Sequence, residues 1–143
     1  MWELNKRLIE KVPMFMDAES DELLILNQVV GHQVITPGEF IIRRGEQAEQ
    51  VYFLIKGVLH VYDDDTVIAE LVEGSVVGEV SAILKTPHTR DVMAACMCDV
   101  FMLTREDFFR MQCLFPAFTK RLEKRADILY GANWRQEMRA DSE

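Results

Sequence analysis

Gly78 and Glu79 stand where the residue types and spacing of this chain could do chemistry. They lie in the stretch 74–95, G-S-V-V-G-E-V-S-A-I-L-K-T-P-H-T-R-D-V-M-A-A. A strand-like run ends at Val72, and Glu73-Gly74-Ser75 reads as a turn. Gly78-Glu79 then opens a short apolar segment over 80–84, Thr86-Pro87 turns the chain again, and a strand is expected from about His88. A glycine before a one-turn helix gathers backbone N–H groups at one point, which suits an anion such as phosphate. A carboxylate beside that point repels phosphate but accepts hydrogen bonds from hydroxyls. Glu79 therefore suits the sugar of a sugar phosphate, with Thr89 and Arg90 just beyond. A strand–turn–helix linker with no ligand explains the same spacing.

Composition narrows the alternatives. The chain has 143 residues, enough for one domain with one core, and 49% of them are hydrophobic. Lys and Arg total 16 against 24 Asp and Glu, a net charge of −8 with no basic stripe, which argues against nucleic-acid binding. No run of about 18 apolar residues predicts a membrane span, and the charges at Glu3, Lys6, Arg7, Glu10 and Lys11 do not fit a signal peptide. Three cysteines fit a reduced, intracellular setting. Cys96 and Cys98, two apart, are expected on one strand face as packing rather than as a zinc site. Asp63-Asp64-Asp65 reads as a hairpin tip, because Ile68 and Gly74 stand where a calcium loop needs glycine and glutamate. No nucleophile–base–orienter set is recognisable, and the chain is not expected to be an enzyme. His32, His60 and His88 stand far apart with no His-x-His pair, so no metal site is expected.

The elements that must position residues 74–92 follow from periodicity. Trp2, Leu4, Leu8, Ile9 and Val12 predict a helix ended by Pro13. A second helix, capped by Asp17 or Ser20, runs to about Val30 and is closed by Gly31. Short strands follow over 33–36, 40–43, 51–55, 58–62, 67–72, 92–95 and 99–103, punctuated by Gly and Pro. Thr104 is expected to cap a helix over 105–113, and Pro116 opens another through about Tyr130, with Phe118, Leu122, Ile128 and Leu129 as its apolar stripe. Met93, Met97, Met102 and Met111 are expected to fill core. The fold class is α+β: an antiparallel, jelly-roll-like β-roll flanked by helices at both ends. The expected organisation is one domain over 1–143. Residues 1–31 form N-terminal helices, 32–103 the roll with its phosphate cassette at 74–92, 104–132 the C-terminal helices and 133–143 a polar tail.

These residues resemble a cyclic nucleotide-binding domain of the type attached to channels and exchangers. The resemblance rests on Pro37-Gly38-Glu39-Phe40-Ile41, then Arg44-Gly45-Glu46, then Val51-Tyr52-Phe53-Leu54-Ile55-x-Gly57-x-Leu59-x-Val61. The run Gly78-Glu79-Val80-Ser81-Ala82-Ile83-Leu84 is similar to the family's phosphate-binding cassette. The resemblance implies a regulatory module for cAMP or cGMP, without a further cofactor, in the cytoplasmic part of a membrane transport protein. Sister domains in an oligomer would be further partners. It implies Glu79 on the ribose, the N–H groups of Ser81 and Ala82 on the phosphate, and Val77, Gly78, Val80, His88, Thr89 and Arg90 around the ligand. Ile128 and Leu129, of the candidates Ile128, Leu129, Tyr130 and Trp134, would form a lid over the base.

One position departs from the family pattern. Where the family carries an arginine for the phosphate, this chain has His88, and Thr89 matches the threonine that follows. A charge-assisted hydrogen bond contributes about 1.5–3 kcal/mol, so its loss weakens binding roughly ten- to a hundredfold. Three readings stay open. Arg90, on the same strand face as His88, reaches back to the phosphate. A protonated His88 supplies the charge, and binding strengthens as pH falls. Or Asp91 adds a negative charge nearby, and the pocket is degenerate, the domain serving assembly or interaction instead.

Overall fold

Strand β3 (Gln50–Lys56) is the centre of the molecule, and its composition states why. Val51, Phe53 and Ile55 face a layer of helices, while Leu54 faces the interior of the roll, and all four are essentially inaccessible to solvent. A strand covered on both faces reads as continuous apolar sequence rather than as alternation. In this computed structural model, residues 2–131 are described, with the backbone alone for residues 2–5, 8, 14, 129 and 130. The tail, including Trp134, lies outside the described residues, as do the side chains of Leu129 and Tyr130.

Two four-stranded antiparallel sheets face each other. One has the order β1 (Gly31–Ile35), β8 (Cys98–Thr104), β3, β6 (Val76–Val77). The other has the order β2 (Phe40–Ile42), β7 (Asp91–Ala94), β4 (Leu59–Asp63), β5 (Thr66–Leu71). Between them lie Ile35, Ile42, Leu54, Leu59, Val77, Val92 and Val100. On the outer face of the first sheet pack α1 (Trp2–Lys11), the short turn Pro13–Phe15, α2 (Ser20–Val29), α4 (Arg105–Leu114) and α5 (Pro116–Tyr130). Phe15 meets Phe53 of β3 edge-on at 5.3 Å and Phe118 of α5 at 6.2 Å, and Phe118 meets Phe108 of α4 at 5.6 Å. A chain of aromatic contacts thus joins the helices of both ends to the sheet through Phe15. Buried Glu22 of α2 pairs with Arg121 of α5. Burial pushes the Glu22 carboxyl upward, and the Arg121 charge opposes that shift.

The α+β roll therefore stands as expected, with local revisions. Gly31 does not close α2: Val30 ends it in an extended conformation, and Gly31 already pairs with Met102 in β1. The residue before the helix is Glu19, with no side-chain cap, so neither Asp17 nor Ser20 serves. Thr104 does cap α4, its Oγ1 accepting from the Asp107 N–H at 3.1 Å. Cys96 sits in an exposed bend while Cys98 begins β8 in the core, so the two do not share a strand face. Met111 is buried, but Met97 is 56% exposed and fills no core. The α5 stripe is Phe118, Leu122 and Ala126, at four-residue spacing; Ile128 is off it and 75% exposed.

Gly74 fixes the approach to residues 74–92. Its φ is +92°, and a Cβ there would lie 2.6 Å from the Lys11 carbonyl oxygen at the end of α1. Both the conformation and the space demand glycine. Gly74→Ala is expected to destabilise the fold by about 2–4 kcal/mol, read as a lowered midpoint in urea at unchanged slope.

Candidate functional site

The sequence signature acts as a set of clamps on β7 and the loop before it. Gly38 N–H donates to the Ala94 carbonyl at 2.8 Å, and Ala94 N–H donates to Glu39 at 2.9 Å. In the Arg44-Gly45-Glu46 turn, Gly45 N–H donates to the His88 carbonyl at 2.8 Å, and the Glu46 carbonyl accepts the His88 N–H at 3.0 Å. His88 is thus held by its backbone on both sides, although it lies before β7 rather than within it. His88 lies outside any strand and Thr89-Arg90 form a bend, so the same-face argument for His88 and Arg90 does not apply; both nevertheless line one cavity.

That cavity, of about 300 Å³, is a suitable size for a small organic ligand. Its floor is Gly78 and α3 (Glu79–Leu84), and its walls come from the loop 86–90 and from the second sheet. Gly78 takes φ 86° and ψ 0°, a left-handed conformation natural to glycine. A Cβ at Gly78 would come within 3.2 Å of the Gln50 carbonyl oxygen and 3.5 Å of the His88 ring. Val77, Gly78, Glu79, Val80, Ser81, His88, Thr89 and Arg90 all line the cavity.

Ala82 does not. Its N–H is donated to the Gly78 carbonyl at 3.2 Å, and its side chain is buried on the far side of α3. The reason is positional: with Gly78 before the helix, the N–H groups left without intrahelical partners end at Ser81. Ile128 does not line the cavity either. Sequence reasoning missed the apolar wall from Ile42, Val61, Ile68, Ala69, Leu71 and Val92. Apolar, largely β-branched runs mark these residues as strand, and no local signal distinguishes a ligand-facing valine from a core one.

Glu79 is the chemical centre of the cavity. It is 2% exposed, and its Oε1 has no hydrogen-bond partner among the described residues. Burial pushes its carboxyl up to about 7, against the pull of its own backbone N–H and of the Arg125 guanidinium from α5. His88 is 9% exposed, and burial pushes its imidazole down from the ordinary value, with Glu46 opposing. In the empty cavity burial thus disfavours the charged imidazole that the protonated-His88 reading requires. Arg90 Nη1 donates to the Thr89 carbonyl at 2.9 Å. Asp91 faces elsewhere: its Oδ1 accepts from the Arg44 backbone N–H at 2.8 Å and lies 3.5 Å from Arg43 Nε. It pins β2 to β7 and does not line the cavity, so its charge is no argument against a phosphate there.

A second hollow, of about 340 Å³, lies between Lys85 and α4. None of the buried, unpartnered polar atoms among the described residues belongs to its lining. No group of His, Cys, Asp and Glu among the described residues could hold a metal ion, and no described helix is long and apolar enough to cross a membrane.

Residues 32–112 match the model of the cyclic nucleotide-binding domain family. The chain is 30% identical over 125 residues to cyclic nucleotide-gated channel alpha-2 of Rattus norvegicus, covering 82% of this chain and 19% of that protein. It is 25% identical over 118 residues to the human potassium/sodium hyperpolarization-activated cyclic nucleotide-gated channel 1, covering 82% and 13%. The chain thus spans less than a fifth of these curated relatives. Among solved structures, the C-linker/CNBHD of zELK channels, crystallised in the presence of cAMP, superposes with a TM-score of 0.71 at 27% identity over 83% of this chain and 63% of that one. The regulatory subunit of a cAMP-independent protein kinase A from Trypanosoma brucei shares the fold, with a TM-score of 0.80 at 22% identity over 95% and 51%. With the family's match spanning more than half of its length, the chain belongs to the cyclic nucleotide-binding domain family.

Proposed function

We propose that this chain is a non-catalytic regulatory module that binds cAMP or cGMP in the cavity above Gly78. Ligand occupancy would shift α5 and pass that shift to an attached channel or exchanger, in the cytoplasmic part of a membrane protein. The observation that carries the reading is the Glu79 carboxyl, buried with an unpartnered oxygen on the cavity wall. A ribose hydroxyl satisfies that oxygen, and leaving it unmade is costly. Val77, Gly78, Val80 and Ser81 would frame the sugar and phosphate, with Thr89 and Arg90 on the opposite wall. The channel relatives support the attachment, and ligand can move α5 only by its differential affinity for the two helix positions.

A neutral His88 favours a second reading, in which the cavity takes no nucleotide and the domain serves subunit assembly. Calorimetric titration of cAMP and of cGMP at pH 7.5 and pH 6 separates the two. Binding is expected to weaken by up to about tenfold over the lower part of that range, because a hydroxyl donor prefers the ionised carboxylate and Glu79 is largely protonated at pH 6. Binding that strengthens at pH 6 would restore His88 as the phosphate's cation. No heat and no thermal stabilisation at millimolar nucleotide would sink the sensor reading.

A further inference from the structure

Two buried polar atoms of opposite character are left without hydrogen-bond partners on either side of the α3–α5 contact. One is Glu79 Oε1 and the other is Arg125 Nε. Arg125 is anchored at one point, its Nη2 donating to the Gly74 carbonyl at 3.3 Å, while its positive charge bears on the Glu79 carboxyl. Beside it, Ala126 packs fully buried against Val80 of α3. One turn earlier, Arg121 is engaged with Glu22 and holds α5 to α2. Arg125 and Ala126 face the roll near the end of α5, where Ile128 is exposed.

We propose that Arg125 is the positioning residue that passes cavity occupancy to α5, with the Glu79 carboxylate shared between ligand hydroxyls on its cavity side and the guanidinium on its helix side. The proposal rests on reading the cavity as a cyclic-nucleotide site. A hydroxyl that donates to Glu79 favours the ionised carboxylate, and the ionised carboxylate draws Arg125 closer. Ligand binding and α5 docking therefore stabilise each other, and the coupling is the same in both directions. The other charged or titratable groups on the cavity wall are His88, which burial holds neutral, and Arg90, whose Nη1 is donated to the Thr89 carbonyl. Arg125 is the charged group that reaches Glu79 from the helical layer.

The test has a ligand-free arm and a cAMP arm, on wild type, Arg125→Gln and Arg125→Lys. Without ligand, the Glu79 side-chain carboxyl is followed by carbon NMR against pH. Its midpoint is expected to rise in Arg125→Gln above the wild-type value and to return most of the way in Arg125→Lys. An unchanged midpoint overturns the pairing. With saturating cAMP, amide exchange over residues 116–130 is expected to slow in wild type. In Arg125→Gln that slowing is lost, and affinity falls about five- to fiftyfold, while Arg125→Lys keeps part of both. Slowing of α5 exchange in Arg125→Gln equal to wild type overturns the transmission. Failure of wild type to bind cAMP overturns the nucleotide reading and the transmission with it, and the ligand-free titration still decides the Glu79–Arg125 pairing.

Discussion

His88→Arg is expected to raise cAMP affinity by about ten- to a hundredfold, the equivalent of one charge-assisted hydrogen bond to phosphate. The backbone at this position is held by Gly45 and Glu46, so the new side chain leaves from a fixed point and enters the cavity that His88 already lines. In the empty cavity burial disfavours the charged imidazole, so a permanently charged guanidinium brings what His88 lacks there. The same substitution carries a cost in the empty protein. An arginine in a site only 9% exposed loses much of its hydration, which the Glu46 charge offsets only in part, and the ligand-free variant is expected to melt several degrees below wild type. Adding cAMP should then raise the melting temperature more in the variant than in wild type, since stabilisation grows with the ratio of ligand to dissociation constant. Calorimetric titration paired with thermal melts reads both effects. Equal affinity in the two proteins would mean that the phosphate point is served by another group, with Arg90 the first to test.

The parts of this molecule that were legible in the sequence are those whose cause is local. β3 reads as a strand because both of its faces are covered, and Thr104 reads as a cap because its oxygen serves the N–H three residues on. Gly78-Glu79 reads as a turn into a short helix, and only the longer pattern of strands and turns around it marks that turn as a site, since a plain linker has the same local sequence. Where causes are long-range, local patterns failed. The Pro37-Gly38 and Arg44-Gly45-Glu46 turns are visible as turns, but their purpose is to grip β7 and His88, some 40 to 60 residues away. Asp91 looked like a repulsive charge in the site, whereas it bonds the Arg44 backbone across the β2–β7 pair. β6 is only two residues long, too short for any period to show. Nothing in T-K-R-L-E-K-R-A separates Arg125 from Lys124, and only the packing of Ala126 on Val80 turns the one inward and leaves the other exposed.

Glu79→Gln is expected to make the empty protein more stable at pH 8 and a poorer binder at once. The folded carboxyl titrates at about 7 against an ordinary value of 4.5. Between those values the folded state keeps a proton that the unfolded chain has released, so stability falls as pH rises from 4.5 to 7 and stays low above. Two and a half pH units correspond to about 3 kcal/mol at pH 8. Glutamine has nearly the same shape and no charge to desolvate, and it removes that penalty. The gain should read as a melting temperature higher by about 6–12 °C at pH 8, shrinking to little at pH 4.5. Binding moves the other way: an amide oxygen replaces a carboxylate as the hydroxyl acceptor, and cAMP affinity is expected to fall about ten- to a hundredfold. Such opposition is characteristic of a group retained for a ligand at the expense of the fold. A variant no more stable than wild type at pH 8 would show that Glu79 is already ionised and fully compensated by Arg125 in the empty protein. In that case α5 would be docked before any nucleotide arrives, and occupancy would have little left to change.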